Sequence, residues 1–174
     1  AAGGADDGAD ASLNPQAEGC YGLNPFTIEC VDANNAYLYA NWYETATTGD
    51  NESRGRVFKT DDGGATWTGI TPDFGNAYIN GIEFIGETGF IAGNNVLLKT
   101  IDGGANLTDL YPAVVAANEG DSSIFIKSVN LIDENEFYLP TTSDGVFITT
   151  DGGETFTKFS DVAGTNDIYK LDHN

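Results

Sequence analysis

The chain is predicted to be all-β, assembled from repeated units of four antiparallel strands. Three observations carry this. Residues 60–67 read TDDGGATW, and near copies stand at 100–107 (TIDGGANL) and 149–156 (TTDGGETF). Their shared frame, Thr-x-Asp-Gly-Gly-x-(Thr/Asn)-(apolar), puts an aspartate at 62, 102 and 151, spaced 40 and 49 residues, a period typical of repeat architectures. Each copy lies between short strand-like runs, with 57–58, 97–98 and 146–148 before it and 66–70, 107–111 and 155–159 after it. Finally, segments 31–37, 85–90 and 132–137 align as strand end, turn and aromatic.

Strand, Asp-Gly-Gly, strand is hairpin chemistry. Glycine adopts the positive φ of tight turns without penalty, and an aspartate carboxylate accepts hydrogen bonds from the turn's own N–H groups. The residues expected to build these turns are Thr60, Asp62, Gly64, Thr66 and Trp67 in the first copy. They are Thr100, Asp102 and Gly104 in the second, and Thr149, Asp151, Gly153, Thr155 and Phe156 in the third. The second copy carries Asn106 and Leu107 where the first has Thr66 and Trp67, so its turn is expected to be less well pinned.

This frame resembles the Asp-box of the BNR-repeat family, Ser/Thr-x-Asp-x-Gly-x-Thr-Trp. The resemblance implies β-propeller blades, with each box on the hairpin between a blade's third and fourth strands. The Gly-Gly after the aspartate most resembles the photosystem II assembly-factor-like branch, over residues 26–174. That branch implies an exported protein, and for members in photosynthetic organisms a membrane-protein partner under assembly.

In chain order, residues 1–19 are Ala, Gly and Asp with little to bury, and read as a flexible tether. They resemble the spacer after the lipidated cysteine of bacterial lipoproteins, a cysteine not present in this sequence. Residues 20–174 are expected to form a partial propeller. Its first blade covers about 26–72, with strands at 26–31 and 37–43 and a third leading through 55–59 into the box. The second covers about 79–111, with strands at 79–85, 89–92 and 96–99. A long loop at 112–122 precedes the third blade, about 124–160, with strands at 124–132, 136–139 and 146–149. Residues 167–174 match the opening of the same unit and read as the start of a fourth blade. Because propellers close with four to eight blades, the expectation is a longer polypeptide, or an arc completed by another chain.

Composition narrows the function. The 27 acidic and 7 basic residues give a net charge of −20, which argues against nucleic acid and anionic lipid as partners. No stretch is apolar and long enough for a membrane-spanning helix. Cys20 and Cys30 suit neither a zinc cluster nor a redox pair; in an exported chain they read as a disulfide. The expected location is therefore extracellular, periplasmic or cell-surface.

The first blade carries 31 residues between Val31 and Asp62, against 17 and 19 at the matching places in the others. The surplus, centred on residues 42–54, is the candidate binding loop. Its Trp42 and Tyr43 suit stacking, and Asp50, Asn51, Glu52 and Arg54 suit polar contacts. No cofactor is expected. Calcium would need clustered carboxylates such as Asp61 with Asp62, Asp50 with Glu52, or Glu119 with Asp121, none at EF-hand spacing. Catalysis finds no support either. The only arginines are Arg54 and Arg56, short of the triad by which sialidases clamp a carboxylate, and His173 is the only histidine. The expected function is a non-enzymatic protein-interaction or scaffold module, whose partner is a protein or further blades. The alternative is a glycan-binding or glycoside-hydrolysing propeller whose site lies largely outside this segment.

Overall fold

A computed structural model describes residues 20–45, 51–72, 74 and 77–160. The predicted tether at 1–19, the predicted fourth blade at 167–174 and Asp50 lie outside the described residues. The chain divides into two compact units at residues 76 and 77.

The first unit holds one four-stranded antiparallel sheet in chain order: β1 (Cys20–Cys30), β2 (Ala36–Thr45), β3 (Asn51–Thr60) and β4 (Thr68–Gly69). Four consecutive residues of β2, Tyr37, Leu38, Tyr39 and Ala40, are buried. Both faces of this strand are therefore covered, which hides the period-two alternation of a half-exposed strand. Leu38, Ala40 and Phe58 form one cluster, with Trp67 packed against it.

The second unit holds two further sheets of the same plan. One is β5 (Ile79–Ile85), β6 (Thr88–Gly93), β7 (Val96–Thr100) and β8 (Thr108–Asp109). The other is β9 (Asn130–Leu131), β10 (Phe137–Pro140), β11 (Val146–Thr149) and β12 (Thr157–Ser160). Their shared core includes Phe90, Leu97, Val114, Ile124, Ile126, Phe137, Leu139 and Phe147. Phe90 and Phe137 meet across it with tilted rings, 4.3 Å between centroids and 49° between planes. The all-β, repeated four-strand architecture read from the sequence is what the chain adopts.

Three expectations are corrected. The loop predicted at 112–122 contains a helix, α1 (Tyr111–Ala117). Pro112 lies in its first turn, where a missing N–H costs nothing. The Asp109 carboxylate accepts from the Tyr111 N–H at 2.9 Å, and Val114 is buried in the core. The strand predicted at 124–132 shrinks to two residues, because the segment before it divides its hydrogen bonds between two sheets. Ile126 N donates to Gly93 O and Lys127 N to Pro140 O, so no continuous ladder forms. The predicted Cys20–Cys30 disulfide is not formed: Cys30 is a free, exposed thiol. The two cysteines are the ends of one 11-residue strand. At ~3.3 Å per residue that is far beyond the roughly 4.4–6.8 Å between Cα atoms that a disulfide spans.

Candidate functional site

The three boxes close the β3–β4, β7–β8 and β11–β12 hairpins, the position expected between third and fourth strands. Their geometry is nearly identical. In the first, Thr60 Oγ1 donates to Asp62 Oδ1 at 2.8 Å and accepts from Gly64 N–H at 2.9 Å. Asp62 Oδ1 also accepts from Thr66 N–H at 2.8 Å, and Oδ2 from the Thr66 hydroxyl at 2.6 Å. The third repeats this with Thr149, Asp151, Gly153 and Thr155. Both glycines of each pair have positive φ, 71° and 93° at Gly63 and Gly64, 72° and 94° at Gly152 and Gly153, which explains Gly-Gly.

The second box corrects an expectation. Asn106 pins the turn as well as threonine does, its N–H donating to Asp102 Oδ1 at 2.8 Å and its Nδ2 to Oδ2 at 2.7 Å. A side-chain amide is a donor of the same reach as a hydroxyl.

These bonds decide the chemistry open to the aspartates. The Thr66 hydroxyl, then the Thr66 N–H, then the Thr60 hydroxyl hold the Asp62 carboxyl at about 2. Thr155 and Thr149 do the same for Asp151, also at about 2, and Asp102 is lowered by Asn106 and Thr100. A carboxylate so strongly stabilised in its charged form is a poor general acid at neutral pH. Its acceptor sites are already filled by the turn.

The predicted binding loop is a ribbon. β2 and β3 run paired from Ala36↔Thr60 out to Thr45↔Asn51, including Trp42↔Arg54, Tyr43↔Ser53 and Glu44↔Glu52. The surplus residues lengthen a hairpin, since strand pairing satisfies their backbone groups as a loose loop would not. Trp42 and Arg54 are half-buried; the side chains of Tyr43, Asn51 and Glu52 lie outside the described residues. Arg56 serves the sheet: Nε donates to Thr71 O at 3.1 Å, and its guanidinium lies 5.7 Å from the Phe58 ring centroid.

A feature that sequence reasoning missed lies at the end of α1. Asn118, Glu119, Asp121, Asp144 and Lys158 line a cleft of about 550 Å³. Lys158 Nζ donates to Asn118 Oδ1 at 3.3 Å, and Asn118 Nδ2 donates to Asp144 Oδ1 at 3.2 Å. Only Glu119 and Asp121 were legible as a pair; Asp144 and Lys158 come from two other segments. Among the described residues, no group of three or more His, Cys, Asp or Glu is placed to hold a metal ion.

Three four-stranded antiparallel sheets, each closed by an Asp-Gly-Gly turn between its third and fourth strands, define the chain as part of a β-propeller. Over 146 residues it is 29% identical to the photosystem II assembly lipoprotein Ycf48 of Synechococcus sp. (strain CC9902). That match covers 81% of this chain and 38% of the relative, so the chain spans well under half of the protein it resembles. The solved structure of YCF48 bound to D1 peptide has a TM-score of 0.55 at 19% identity, over 78% of this chain and 40% of that one. YCF48 from Cyanidioschyzon merolae has a TM-score of 0.52 at 20% identity, over 76% and 36%. No protein-family model matches the chain.

Proposed function

We propose that this chain is a non-enzymatic propeller segment of an exported protein that binds a protein partner during assembly. The observation that carries the reading is the 29% identity over 146 residues to a protein named as an assembly lipoprotein. A structure of YCF48 is described as bound to a D1 peptide, which favours peptide recognition as the mode. The lengthened β2–β3 ribbon with Trp42 and Arg54 is the contact we assign to the partner. A net charge of −20 favours a partner with a basic surface. The box aspartates serve the turns and leave binding to other surfaces.

The test compares the chain with a variant in which residues 43–53 are replaced by a tight turn. Capture from the source envelope, read by mass spectrometry, should recover one stoichiometric protein with the full ribbon and lose it with the short one. Both proteins should keep a single cooperative urea transition. Equal capture by both would remove the ribbon from the site. Turnover of a glycan, abolished by one carboxylate substitution, would overturn the non-enzymatic reading.

A further inference from the structure

The second box departs from the other two at a position its turn does not use. The turn's side-chain bonds engage Thr100, Asp102, Gly104 and Asn106. Among them stands Ile101, 70% exposed, where the first box has Asp61 and the third Thr150. A lone exposed isoleucine would need no explanation, but this one lines a groove. The groove has a volume of about 410 Å³, and Lys99, Asp102, Leu110, Asp151 and Glu154 also line it. Its walls belong to the second and third sheets, which share one core, so it is present whatever blades flank the pair.

The groove combines aliphatic surface with carboxylates. Ile101 and Leu110 supply the first; Asp102, Asp151 and Glu154 supply the second, against the one ammonium of Lys99. Lys99 is already engaged, its Nζ donating to Gly152 O at 2.9 Å and lying 5.3 Å from the Phe90 ring centroid. The box aspartates contribute charge more than bonding capacity, because their oxygens accept from the turn. The same bonds lower both carboxyls, so this charge persists into acid. Glu154 is exposed, and its carboxylate accepts no hydrogen bond among the described residues. It is the carboxylate left for a ligand.

Charge decides what fits. Residues 1–19 carry Asp6, Asp7, Asp10 and Glu18 with no basic side chain, and residues 161–174 carry Asp161, Asp167 and Asp172 against Lys170. A second copy brings a net charge of −20. Each of these is repelled by a groove of net negative charge. An arginine suits it, since its methylenes cover aliphatic surface while its guanidinium pairs with a carboxylate in a fork geometry. We propose that the groove between the second and third boxes receives an arginine side chain of the protein partner, with its stem against Ile101 and Leu110 and its guanidinium on Glu154. The contact rests on the reading of a partner with a basic surface, and it is separate from the β2–β3 ribbon.

The probe is N-acetyl-arginine amide, with N-acetyl-citrulline amide as its uncharged match, in NMR titrations of the full chain. The arginine compound should shift the amides of residues 99–110 and 151–156 saturably, and the citrulline compound should bind about fivefold more weakly. Ile101→Ser should weaken arginine binding about fivefold, the loss of one partly buried aliphatic contact, and Glu154→Gln by a similar factor. Asp61→Asn removes the same charge from the other unit and should leave the affinity unchanged. Equal affinity for the two compounds overturns the proposal, and so does binding that withstands Ile101→Ser. A loss from Asp61→Asn as large as from Glu154→Gln also overturns it, because the attraction is then diffuse. A neutral gadolinium chelate should broaden the Ile101 methyl signals of the free chain. Protection from it overturns the proposal, because the chain itself or a second copy then fills the groove. The titration involves neither the partner nor the ribbon, so its failure leaves the ribbon assignment standing.

Discussion

At the scale of residues, Asp62 and Asp151 make fold and pH dependence one question. Their carboxyls titrate at about 2 when folded, below the ordinary carboxylate value, because threonine hydroxyls and N–H groups favour the charged form. A depressed folded pKa gives a contribution to stability that is full above the unfolded value and is lost as pH falls toward the folded one. Urea midpoints should therefore fall from about pH 4 down to about pH 2, and Asp62→Asn should flatten that dependence. The box glycines offer a second prediction. Gly64→Ala should cost about 1–2 kcal/mol for a left-handed residue. Gly153→Ala should cost more, because the new methyl also meets Leu110; urea unfolding of both variants separates strain from packing. The turn aspartates were legible from spacing alone because the whole device lies within eight residues. The equivalence of Asn106 to threonine was not, since it depends on the reach of one donor.

At the scale of elements, local pattern located some strands and missed what depended on neighbours. The predicted 79–85 and 146–149 coincide with β5 and β11. Helix α1 has seven residues, too few for a periodicity to be read, and what secures it is Val114 in a core made by other elements. Val114→Ala should cost about 2 kcal/mol, from roughly two lost methylenes plus a partial cavity. Thermal unfolding would read this as a lower midpoint for the unit that contains residues 77–160. Segment 124–129 has the composition of a strand but bonds to two sheets at once. Gly81 permits its close approach, since a Cβ there would stand 3.0 Å from Ser128 Cα. No feature of 124–129 itself encodes which partners it finds.

At the scale of the whole molecule, charge governs conditions. A chain carrying −20 repels itself in the compact state, and salt screens that repulsion over about 10 Å at 0.1 M. Raising sodium chloride from about 0.01 to about 0.5 M should raise the melting temperature. A melting temperature that does not change with salt would mean that self-repulsion is not what limits stability.

The sequence by itself determined the repeat, its register, the three turns and the all-β class. Each of these rests on interactions between residues close in the chain, which a periodic string of letters records directly. Tertiary structure alone decided that the surplus of the first unit is a paired ribbon and that Cys20 and Cys30 stand at opposite ends of one strand. It also decided that Leu110 packs against the third box at Gly153. These depend on which distant segments meet, and packing between segments far apart in the chain leaves no local signature.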